Sequence, residues 1–222
     1  MRTISLSDAP GAAIPSLGLG TWRLGESKRT RSAEVAAVRR AFELGYRLVD
    51  TAEMYGEGGA EEVVGQALAE AIAAGELRRD DAFVVSKVYP HNASRRAVTA
   101  ACDRSRARLR LDTIDLYLLH WRGRHALADT VEGFEALRNS GRIRHWGVSN
   151  FDIDDMRELW SLESGTKCVV NQVYYSASHR GIEFDLLPWQ NEQSVVTMAY
   201  CPIDQGTLAS NADLTRIAKR YG

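Results

Sequence analysis

Seven short apolar runs punctuate this chain at a nearly even step, and no other feature narrows its fold so far. They span residues 17–20, 48–51, 84–87, 116–120, 146–150, 171–174 and 197–200. From residue 20 to residue 200 their ends advance in six steps of about 30 residues each. Helical patterns fill the intervals. Val35, Val38, Ala41 and Phe42 share one stripe of 33–44, which Gly45 stops. Val64, Ala67, Leu68, Ala71 and Ile72 share one stripe of 61–74, which Gly75 stops. Helices over 94–109, 127–138 and 152–162 follow, each opening on or near a capping residue, and 214–221 repeats the pattern. The first fifteen residues, turning around Asp8-Ala-Pro-Gly11, read as a hairpin ahead of the first strand–helix unit.

Strand–helix alternation at this step predicts parallel strands joined by right-handed crossovers. An open doubly wound sheet and a closed barrel both meet that rule. Two observations favour the barrel. Polar residues stand at the ends of successive strands, whereas an open sheet gathers its site mainly at one switch point. No Gly-x-Gly-x-x-Gly opens a helix after the first strand, because Gly18-Leu-Gly20 runs into Thr21 and Trp22. An eighth strand at the same step would fall near residue 230, and such barrels run to ~250 residues. This chain has 222. The expected fold is therefore a (β/α)8 TIM barrel lacking its eighth βα unit. It would have seven parallel strands, an N-terminal hairpin and one domain over 1–222 that is truncated at its C-terminus.

Bulk properties remove several function classes. The net charge of −1 supplies no basic field for nucleic acid or an anionic membrane. The basic run from Arg104 to Arg110 reads as a solvated helix face. No apolar run approaches the ~20 residues of a membrane span. The three cysteines, Cys102, Cys168 and Cys201, lack paired spacing and suit a reduced, cytoplasmic protein. His91, His125, His145 and His179 have no ligand spacing, so no metal is expected. High Ala and Arg usage suggests a bacterial gene. A monomer is expected.

The chemistry concentrates in four residues. Asp50, Lys87 and His120 each close or nearly close an apolar run, and Tyr55 lies five positions past Asp50. In a parallel barrel these ends share one face. Reducing a carbonyl by hydride requires a proton on the oxygen as charge develops there. A free phenol with pKa about 10 is a weak acid near neutrality. A neighbouring Lys87 would favour the phenolate and lower the Tyr55 pKa. Asp50 would hold Lys87, and a neutral His120 would donate to the substrate oxygen.

The chain resembles the aldo-keto reductases from residue 17 onward. The resemblance rests on Leu-Gly-Leu-Gly-Thr-Trp (17–22), Val-Asp-Thr-Ala-Glu-Met-Tyr-Gly (49–56), Val-Ser-Lys-Val (85–88) and Leu-Leu-His-Trp (118–121). Gly-Val-Ser-Asn-Phe (147–151), Asn-Gln-Val-Tyr-Tyr (171–175) and Ala-Tyr-Cys-Pro (199–202) extend it. The resemblance implies NADPH-dependent reduction of small aldehydes and ketones, with Asp50, Tyr55, Lys87 and His120 as the catalytic tetrad and Tyr55 as proton donor. It implies that Ser149, Asn150 and Gln172 hold the nicotinamide carboxamide and that Tyr200 stacks on the ring. Gly20, Thr21 and Trp22 would line the cofactor and substrate mouth. Trp22, Tyr89 and Trp121 would wall the substrate pocket. The basic residues by which this family grips the 2′-phosphate, and so prefers NADPH to NADH, belong to the eighth unit. The competing expectation is a non-catalytic barrel fragment that binds cofactor or protein only. A metal-dependent barrel hydrolase is a distant third.

Overall fold

A computed structural model describes residues 2–8 and 11–221. Strands β1 (Thr3–Ser5) and β2 (Ala13–Pro15) form the antiparallel hairpin, in the register Thr3↔Pro15. Ala9 and Pro10 of its expected turn lie outside the described residues. The next seven strands are β3 (Gly18–Gly20), β4 (Leu48–Asp50), β5 (Phe83–Val88), β6 (Ile114–Leu119), β7 (Ile143–Ser149), β8 (Val170–Tyr174) and β9 (Val196–Tyr200). They form one sheet in sequential order, parallel throughout. The sheet curls into a nearly closed barrel whose two edge strands, β3 and β9, flank a cleft.

Helices α1 (Arg31–Glu43), α2 (Gly59–Ala73), α3 (Ala97–Leu109), α4 (Leu127–Asn139), α5 (Ile153–Trp160) and α6 (Leu186–Glu192) follow β3 to β8 in turn. Helix α7 (Ala212–Tyr221) follows β9 and buries none of its residues. The stripe of α1 faces the barrel, with Val35, Val38, Ala41 and Phe42 all buried, and so do Val64, Ala67, Leu68 and Ala71 of α2, whereas Ile72, read into the same stripe, is exposed. The side-chain core divides into two layers, as strand alternation requires. On β6, Tyr117 and Leu119 join the layer beneath the helices, while Leu116 and Leu118 fill the barrel interior. The hairpin plugs that interior from below with Leu6 and Ile14. On β5, Val84 and Val88 face the helices and Val85 faces inward, so Lys87 points into the barrel and Ser86 out of it.

Three expectations need correction. Helix α6 was not evident in the sequence: it has only seven residues and carries Pro188 in its first turn, a position a helix tolerates. Asp185 marks its start, with Oδ1 accepting the Leu186 amide at 2.6 Å. Side-chain capping is also sparser than expected. Asp152 caps α5 by accepting the Asp154 and Asp155 amides, both at 2.9 Å, and Ser94 Oγ accepts the Ala97 amide at 3.3 Å where α3 begins, but α1, α2 and α4 have no side-chain cap. At α2 the chain instead enters through Gly58, whose φ of 92° requires glycine. Finally, the basic run is not wholly solvated. Arg108 turns inward onto Glu61, and Arg106 pairs with Asp103 at 2.8 Å.

Candidate active site

The register of the barrel carries the four polar residues to one rim. Gly20 pairs with Asp50, Asp50 with Val85, and Lys87 with Leu118. Past the strand ends the ladder continues, with the Thr51 amide donating to the Val85 carbonyl at 2.9 Å and the His120 amide to the Val88 carbonyl at 3.1 Å. Asp50 ends β4, Lys87 is the last but one residue of β5, and His120 is the first residue beyond β6. Tyr55 opens a short 3-10 turn that runs directly into α2.

Lys87 is fully buried. Its Nζ donates to Asp50 Oδ1 at 2.8 Å, to the Thr51 carbonyl at 2.9 Å and to Tyr55 Oη at 3.3 Å. Burial alone would lower the lysine pKa, but Asp50 and Tyr55 outweigh it and hold Lys87 above its usual value. Lys87 is therefore a cation at neutral pH. Burial is also the larger influence on Tyr55 and raises its pKa; Lys87 opposes that rise without reversing it. The expected net lowering of the phenol pKa is thus corrected: the lysine acts against desolvation rather than on a free phenol. His120 lies edge-on to Tyr55, with ring centroids 5.7 Å apart. Burial, assisted by the Lys87 charge, lowers its pKa to about 3, so the imidazole is neutral.

A cavity of about 990 Å³ opens at this rim and extends down the cleft between β3 and β9. Asp50, Tyr55, His120, Trp22 and Trp121 line it, together with Gly20, Ser149, Asn150, Gln172 and Tyr200. Thr21 and Tyr89 do not line it. Thr21 is buried, its hydroxyl donating to the Asp50 carbonyl at 3.0 Å. Tyr89 meets Trp121 edge-on, with ring centroids 6.0 Å apart, and its Oη donates to Glu57 Oε1 at 3.2 Å.

The amide-bearing residues cluster beside the tetrad. Asn150 has φ 58°, a left-handed conformation that asparagine tolerates better than most residues. Its Nδ2 donates to the His120 carbonyl at 3.0 Å and to Ser149 Oγ at 3.1 Å. Tyr200 Oη donates to Asn150 Oδ1 at 2.9 Å. Gln172 Nε2 donates to Asp50 Oδ1 at 3.1 Å, which joins this cluster to the tetrad. That bond links residues 122 positions apart and has no sequence signal. Two further residues contribute. Tyr174 stacks on Tyr200 at 5.4 Å with rings 10° from parallel. Glu53 is buried and accepts the Tyr89 amide at 2.7 Å and the Asn92 side-chain amide at 3.1 Å. Its position two residues before Tyr55 was its only marker. Among the described residues no group of three His, Cys, Asp or Glu side chains is arranged to hold a metal ion.

Comparison with known proteins gives a consistent picture. Residues 16–220 match the Aldo/keto reductase family. The methylglyoxal reductase YeaE of Escherichia coli is 48% identical over 214 residues, covering 94% of this chain and 73% of that protein. The glyoxal reductase of Bacillus subtilis is 34% identical, covering 95% and 71% respectively. Among solved structures, an aldo-keto reductase from Klebsiella pneumoniae in complex with NADPH superposes with a TM-score of 0.88 at 46% identity, covering 99% of this chain and 77% of that one. The thermostable aldo-keto reductase Tm1743, bound to the inhibitor epalrestat, superposes with a TM-score of 0.90 at 33% identity, covering 100% and 81%.

Proposed function

The chain belongs to the Aldo/keto reductase family, and from that premise we propose how it reduces small aldehydes and ketones to alcohols with NADPH. The observation that carries the reading is the position of Lys87 Nζ, 2.8 Å from Asp50 and 3.3 Å from Tyr55, beneath a cavity rim that His120 completes. Tyr55 is the proton donor. Lys87 stabilises the phenolate left behind, at a site where burial would otherwise oppose it. Asp50 holds Lys87 in place. His120, neutral, donates to the substrate oxygen as negative charge develops on it.

The residues present fit a nicotinamide cofactor. Asn150 and Gln172 bring amide donors and acceptors to the cavity, as a carboxamide requires, and Tyr200 is braced by Tyr174 as a flat ring platform. Ser149, Asn150 and Gln172 would hold the carboxamide, Tyr200 would stack, and Gly20, Thr21 and Trp22 would flank the mouth. When bound, NADPH supplies the hydride. Trp22 and Trp121 shape the substrate side and suit small or planar carbonyls, with Tyr89 edge-on to Trp121. The glyoxal and methylglyoxal reductases among its relatives support 2-oxoaldehydes as the substrate class. The same reading takes the chain as one barrel domain and a monomer of the bacterial cytoplasm that engages neither nucleic acid nor membrane. No described helix is long and apolar enough to cross a bilayer. The non-catalytic alternative is not favoured, because the tetrad is complete and the named relatives are reductases.

Following NADPH absorbance with purified protein and methylglyoxal tests this reading. Steady consumption that depends on both protein and aldehyde is expected. Protein that binds NADPH yet consumes none across a panel of 2-oxoaldehydes and simple aldehydes would contradict it.

A further inference from the structure

Glu61 lies outside the cavity, yet it is a carboxylate with no exposed surface. Such a group persists only where its partners are fixed. Its Oε1 accepts Ser86 Oγ at 2.5 Å, and its Oε2 accepts Arg108 Nε at 2.6 Å, with Arg108 Nη2 in ion-pair contact at 2.6 Å. Three elements meet at this carboxylate: α2, β5 and α3. Each contact leads back to the reacting pair. Ser86 is the outward-facing neighbour of Lys87 on β5. Glu61 stands in the first turn of α2, which continues the turn that Tyr55 opens. Arg108 packs against the joint between them, since a Cβ on Gly58 would lie 2.6 Å from Arg108 Nε. A Cβ on Gly65 would lie 2.4 Å from the Arg108 carbonyl oxygen, so α2 and α3 approach closely at this point.

We propose that Glu61 is a positioning residue: with Ser86 and Arg108 it locks the Tyr55 turn to β5 and so sets the Lys87–Tyr55 contact. An apolar residue could hold α2 against the barrel, but it could not fix the slide of α2 along β5. The paired hydrogen bonds to one carboxylate do so. The Lys87 charge acts on Tyr55 across 3.3 Å, and its influence falls as that gap widens. The catalytic consequence rests on Tyr55 being the proton donor; the geometric one does not.

The test uses Ser86→Ala, and separately the charge-neutral pair Glu61→Gln with Arg108→Met, which avoids leaving a buried arginine unpaired. Tyr55 faces Lys87 from β5, Asp50 from β4, His120 after β6 and Cys201 after β9. Only the first of these is tied to the Glu61 cluster. The ionisation midpoint of Tyr55 is read from phenolate absorbance, as the difference between each protein and its Tyr55→Phe counterpart. Loosening the lock should raise that midpoint by about one pH unit, a tenfold weaker acid. It should lower kcat about tenfold while leaving KM near its wild-type value. Ser86→Thr, which restores the hydroxyl, should restore the midpoint. An unchanged midpoint in both variants, with only a lower melting temperature, would overturn the proposal and leave Glu61 a packing residue. A shifted midpoint in a protein whose wild type consumes no NADPH would uphold the lock and overturn the reductase reading instead.

Discussion

Lys87 carries a charge that no solvent reaches, and the site is organised around satisfying it. Its three contacts go to an acid, a carbonyl and the phenol, so removing any of them leaves a buried donor unpaired. His120 is governed chiefly by its burial, and the same charge pushes it further in that direction. Its pKa falls from 6.5 to about 3 on folding, so between those values the unfolded chain binds the proton and the native one does not. The native state therefore gains stability as pH rises, in full above about 6.5, and loses it as pH falls toward 3, by up to about 1.4 kcal/mol per pH unit. Replacing His120 with Asn should flatten the acid side of the stability curve, which urea unfolding at stepped pH would read; a curve identical to wild type would contradict the buried neutral imidazole. The turnover profile should likewise show no histidine limb between about pH 5 and 8. Asp50, Lys87 and His120 were legible because a polar residue after an apolar run stands out. Glu61 was not, since an acid in the first turn of a helix reads as ordinary surface.

At the scale of elements, the strands were the legible part. Strands buried on both faces become continuous apolar runs, and every run in the sequence has its counterpart among β3 to β9. Helix α6 was masked by its shortness and by Pro188. The cross-barrel bond from Gln172 to Asp50 could not be read at all, because closure of the sheet makes it and no local pattern does. Helix ends were overread: Ser, Thr and Asp near a start predict a cap, yet only a side chain with the right entry angle makes one. Helix α4, for example, starts after Ala126 with no side-chain cap. Asp152 does cap α5, which follows the strand bearing Ser149. Asp152→Ala should cost about 1 kcal/mol of stability, measured by the urea midpoint. Loss of less than a few tenths would mean that the reciprocal Asp155 contact carries the helix start.

For the whole molecule, the consequential feature is the cleft between β3 and β9, into which the cavity runs. Leu17 is exposed on one side of it, and Val196 and Met198 are only partly covered on the other. A ligand that spans Gly20, Gln172 and Tyr200 would bridge the two open edges and so act as a structural tie. NADPH at about a hundred times its Kd should add about 2.7 kcal/mol to stability. In a protein of this size that corresponds to roughly 5–10 °C in Tm. A melting curve indifferent to saturating NADPH would contradict a cofactor seated across both edges.

The central claim is that Tyr55, charged against by Lys87 and flanked by a neutral His120, delivers the proton. The most direct measurement is NADPH consumption with methylglyoxal by the wild-type chain beside Tyr55→Phe, each at matched NADPH occupancy. The account predicts steady turnover in the wild type and a loss of about 10²–10⁴-fold in the variant, with cofactor binding kept. Equal turnover in the two proteins would contradict it.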